Sequence, residues 1–149
     1  MLVVVGLIAG CGGGYGDSDP PDSKPAEPLA GTVWQLQEIK SADGTITEPA
    51  KGPPPTLTFE KGKTVTVFTG CNSGSGKAVI QGPDQAAEVE FGRIALTLRA
   101  CVDPLPMKVE GLMVKALSRM DVIEVPEDGS GMKLTEGGTP LEFRFIAEM

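Results

Sequence analysis

The spacing of apolar residues divides the chain into three stretches. MLVVVGLIAG is an almost unbroken apolar run that stops at Cys11. From Gly12 to Pro28 the chain reads GGGYGDSDPPDSKPAEP, with almost no side chain able to pack. From Leu29 onward apolar and polar residues alternate, the period of a half-buried strand. Strands are predicted at Thr32 to Ile39, with Trp34 and Leu36 on one face, at Thr56 to Glu60 with Leu57 and Phe59, and at Thr64 to Thr69 with Val65 and Val67. Glu60-Lys61-Gly62-Lys63 is the turn of the hairpin joining the second and third of these. Further strands are predicted at Lys77 to Gln81, Ala87 to Phe91, Arg93 to Leu98 (Ile94, Leu96 and Leu98 inward), Val122 to Val125, Met132 to Thr135 and Leu141 to Ile146.

One segment has the helical period instead. Val109, Leu112, Met113, Ala116, Leu117 and Met120 make a single apolar stripe. Asp103-Pro104 offers an N-cap followed by proline at the first helical position. Many strands, one helix, then more strands indicate an α+β, mostly β fold, with the helix packed on a curved antiparallel sheet that forms a partial barrel.

The apolar run at the start would span only about 15 Å as a helix, half a bilayer core. It fits the apolar region of an export signal better, although no Lys or Arg precedes it. Its end, Leu7-Ile8-Ala9-Gly10-Cys11, resembles the lipobox of bacterial lipoproteins, which implies lipidation of Cys11 and cleavage just before it. Residues 1–10 are accordingly read as a truncated signal peptide, 11–28 as the lipidated cysteine and a flexible tether, and 29–149 as the folded domain. The alternative is a buried N-terminal strand followed by a glycine loop.

Composition narrows the function. Seven residues are aromatic, so the core must come mainly from Val, Leu, Ile and Met, with Trp34 as its one large ring. A ligand platform is the other use for Trp34. The net charge of −7 repels phosphate backbones and disfavours nucleic acid as a partner. The chain has no histidine, so Ser-His-Asp and Cys-His nucleophiles and imidazole zinc sites cannot be assembled. Ser75-Gly76-Lys77 looks like the end of a phosphate-binding loop, but Cys71 stands where its leading glycine belongs and Ala78 where its Ser or Thr belongs. No calcium-loop spacing is present, and no cofactor or metal is expected.

Cys71 and Cys101 are the only cysteines of the folded part. Three readings stand: a structural disulfide, two buried free thiols, or a reactive pair. Asn72 is read as a turn residue or a hydrogen-bond donor to its own loop, with a ligand contact as the alternative.

Gly31-Thr32-Val33-Trp34, Thr56-Leu57-Thr58-Phe59, the turn Gly70-Cys71-Asn72 with Gly76 four residues on, Thr97-Leu98-Arg99-Ala100-Cys101 and Leu141-Glu142-Phe143 together resemble the META domain family, also described as HslJ-like, from about Leu29 to Ile146. Ala78 replaces an aromatic that often follows the turn, and Arg99 stands where the family commonly has Met. The resemblance implies a curved antiparallel sheet wrapped against one helix, and no agreed catalytic activity. It links the chain with envelope stress. The expected function is a membrane-anchored, extracytoplasmic, non-catalytic lipoprotein that binds an unknown envelope protein or supports the envelope. Alternatives are a carrier of a small apolar ligand, an inhibitor of another secreted protein, and a hydrolase working through paired carboxylates.

Overall fold

The computed structural model describes residues 29–149 except Asp84 and Ser130. The apolar run, Cys11 and the tether lie outside the described residues. The elements are β1 (Val33–Lys40), β2 (Ile46–Thr47), β3 (Thr56–Phe59), β4 (Thr64–Phe68), β5 (Ser73–Gln81), β6 (Ala87–Leu96), α1 (Pro104–Leu117), β7 (Val122–Glu124), β8 (Met132–Thr135) and β9 (Glu142–Ala147). Every pairing between these strands is antiparallel, and β1 pairs with β9 as well as with β3. The sheet therefore closes, where the sequence led us to expect a partial barrel. Closure is visible only in the pairing of the first long strand with the last, which no local pattern encodes.

Alternation fills the interior. Trp34, Leu36, Leu57, Phe59, Val65, Val67, Ile123, Leu134, Phe143 and Phe145 are buried in one apolar cluster, and Val109, Met113, Ala116 and Leu117 of α1 join it. Trp34 is fully buried and its indole N–H donates to the Leu29 carbonyl at 3.2 Å, so it is a core anchor that also ties down the start of the domain. Between Leu36 and Glu38 a register shift moves Ile39 back to the inner face.

Three expectations need correction. Residues predicted as two strands, Ala87 to Phe91 and Arg93 to Leu98, form the single strand β6, which crosses a register irregularity opposite Gly76 and Ala78. Leu98 was expected inward, but it lies past the strand's end and is 100% exposed. β5 begins at Ser73, four residues earlier than predicted. Its Gly-Ser-Gly start carries no apolar alternation, yet a Cβ added at Gly76 would come within 2.6 Å of the Arg93 carbonyl oxygen. Glycine here permits the close approach of β6.

The helix exists because of a topological need. β7 meets β6 only at Ala87 and Glu88, at the start of that strand, so from Leu96 the chain must travel back along β6, about 26 Å at strand rise. The 14 residues of α1 cover about 21 Å of that return. Asp103 occupies the N-cap position, but its side chain makes no capping bond. Pro106 at the third helical position has no N–H to offer it, which removes one of the two usual donors. No described helix is long and apolar enough to cross a membrane.

Candidate functional site

The densest polar arrangement among the described residues lies where β4 ends, β5 begins and the segment after β6 turns toward α1. Gly70 adopts a φ of 91°, a left-handed value that lets the chain reverse after Thr69. The reversal brings Cys71 against Cys101, and the two are joined as a disulfide with Cα atoms 5.8 Å apart. Of the three readings of the cysteines, the bonded one holds. Both residues are half-buried.

Asn72, only 3% exposed, is the centre of the arrangement. Its Oδ1 accepts the Arg99 N–H at 2.7 Å and the Thr97 hydroxyl at 2.9 Å. Its Nδ2 donates to the Arg99 carbonyl at 3.1 Å and to the two Glu110 carboxylate oxygens at 3.1 and 2.9 Å. Since Arg99 presents one donor and one acceptor to the same amide, only one orientation of the amide satisfies both. The Thr97 hydroxyl in turn accepts the Ser73 N–H at 3.2 Å.

Thr69 completes the ring. Its hydroxyl accepts the Asn72 N–H at 3.0 Å and lies 2.5 Å from Glu110 Oε2 and 3.0 Å from the Asn72 carbonyl. One hydroxyl carries one proton, and the shorter, charge-assisted contact takes it. Glu110 on α1 is thus held by side chains from both sides of the turn, beside the disulfide. No buried side-chain N or O atom among the described residues lacks a partner.

This geometry sorts the residues singled out in the sequence. It brings together Gly70, Cys71, Asn72, Thr97 and Cys101. Gly76 serves the approach of β5 to β6, and Trp34 belongs to the core. Ala100 is exposed. Thr69 and Glu110 were missed. Glu110 carried a signal, since it is the one acid in α1 and directly follows the first residue of the apolar stripe. Thr69 carried none beyond its place before Gly70.

A sequence profile of the META domain matches residues 27–146. The chain belongs to the META domain family. Two solved structures are similar to this META domain. One, described as the NMR structure of the protein from Burkholderia xenovorans, is 26% identical, with a TM-score of 0.68 over 91% of this chain and 97% of its own. The other, described as an NMR structure, is 18% identical with a TM-score of 0.48 over 76% of this chain and 87% of its own. No curated protein matches the sequence. The family's Gly-Cys-Asn turn is, in this META domain, the hub just described. Arg99 contributes to it through its backbone N–H and carbonyl, so the hub does not read the side chain that departs from the family pattern. Ala78, the other departure, is buried in the barrel wall.

Two other surfaces bear on function. Leu98 and Val102 are 100% exposed, and Leu105 and Met107 are also exposed. All four fall in the ten residues that the hub and the disulfide hold down. On the opposite face of chemistry, Glu88, Glu90 and Asp121 line a shallow groove over β5, β6 and β7. The Asp121 carboxylate there already accepts the Gly137 N–H at 2.6 Å.

Proposed function

We propose that the chain is a lipid-anchored, extracytoplasmic META-domain protein that binds a protein partner of the cell envelope without catalysing a reaction. The observation that carries the reading is the division of the cysteines. Cys71 and Cys101 are paired, and such a bond persists in exported proteins rather than in a reducing cytoplasm. Cys11, left over, ends an apolar run in the Leu-Ile-Ala-Gly-Cys context that resembles a lipobox. The exposed apolar side chains of Leu98, Val102, Leu105 and Met107, concentrated in ten residues of sequence, support partner binding. A carrier role draws less support. The barrel interior is filled by Trp34, Phe59 and their neighbours, and the apolar cleft between α1 and the sheet, walled by Leu112, Ala116, Leu141 and Phe143, holds only about 170 Å³.

Metabolic labelling with a fatty acid tests the anchor. Label is expected on the wild-type chain and not on Cys11→Ser. Equal label on both would remove the anchor, and with it the location.

A further inference from the structure

The Cys71 and Cys101 sulfurs and a Glu110 carboxylate oxygen all lie within 4.8 Å of one another. The structure assigns a second state to this cluster: we propose that, once the disulfide is reduced, Cys71, Cys101 and Glu110 form a site for a borderline-soft divalent cation of the zinc or cadmium class.

Each part of that site exists in the disulfide form. Two thiolates on a tetrahedral zinc-class ion stand about 3.8 Å apart, given metal–sulfur bonds of about 2.3 Å. A Cα separation of 5.8 Å accommodates that spacing by rotation about the Cα–Cβ bonds, with the backbone unmoved. The third donor is already aimed. Thr69 and Asn72 hydrogen-bond the Glu110 carboxylate from the turn that carries Cys71, the kind of outer support that orients metal-binding carboxylates. All three residues are half-buried, so an ion has a path in, and water can take the fourth position.

The chemistry balances in two steps. A dithiol reductant, itself oxidised to its disulfide, delivers two electrons and two protons and leaves thiols on Cys71 and Cys101. The cation then displaces both thiol protons to solvent and binds two thiolates and the carboxylate. Reoxidation by a disulfide acceptor expels the ion. The half-exposed bond would thereby couple metal release to the redox state of the surroundings.

The test uses the full chain carrying Cys11→Ser, so that the third thiol is silent. After phosphine reduction without oxygen, titration with cadmium should raise the ultraviolet thiolate-to-metal charge-transfer band and saturate at one ion per chain. The oxidised protein should show no band. Glu110→Gln should weaken binding about tenfold or more while keeping the band, and Cys101→Ser should abolish tight binding. Three results would overturn the proposal: no band in reduced protein that keeps its far-ultraviolet circular dichroism, equal affinity in Glu110→Gln, or loss of the native fold on reduction alone.

Discussion

Asn72 uses every hydrogen-bonding position of its side chain, joining the backbone of Arg99, the hydroxyl of Thr97 and the carboxylate of Glu110. Truncation would strand several of them at once in a partly buried place, so Asn72→Ala should cost roughly 2 to 4 kcal/mol in urea unfolding. Asn72→Asp should be at least as harmful, because a second carboxylate would face Glu110 and the Arg99 carbonyl. Stability unchanged within a few tenths of a kcal/mol would show that the hub is ornamental. At this scale the sequence revealed half the story. A Gly-Cys-Asn turn announces a reversal and a cysteine partner, because glycine and asparagine have strong local preferences. Glu110 lies 38 residues from Asn72 along the chain, and nothing local ties them.

Elements were legible wherever alternation or the helical period was strong. The hairpin of β3 and β4 and the stripe of α1 follow directly from their side chains. The start of β5 did not, since Ser73 to Gly76 has strand geometry for the sake of its neighbour rather than its own propensity. Gly76→Ala should therefore be costly, about 2 kcal/mol or more, as β6 is pushed outward. Gly111 provides the contrasting case. It lies inside α1, exposed, with no atom within 4 Å of an added Cβ. Gly111→Ala should stabilise the protein by about 0.5 to 1 kcal/mol, read as a higher urea midpoint with an unchanged slope. A destabilised Gly111→Ala would mean that α1 docks more tightly than described.

For the molecule as a whole, the mostly β fold with one helix was readable from the order of periods, and closure was not. β1 and β9 meet across more than a hundred residues, and Arg144 of β9 reaches across their pairing to Glu38 of β1 at 3.0 Å. The bond between Cys71 and Cys101 adds a second long-range tie, closing a loop with a sequence separation of 30. Reduction should lower stability by about 3 to 4 kcal/mol on the chain-entropy estimate, measured as the difference between oxidised and reduced urea curves of the Cys11→Ser chain. Such a staple suits a domain of modest aromatic content. The disulfide and the proposed anchor at Cys11 are tested together by the intact mass of protein extracted from membranes of expressing cells, taken after alkylation without reductant. The predicted species begins at Cys11, carries the added mass of a lipid, and shows no alkylation of Cys71 or Cys101. A water-soluble chain that retains Met1 and is alkylated at all three cysteines would contradict it.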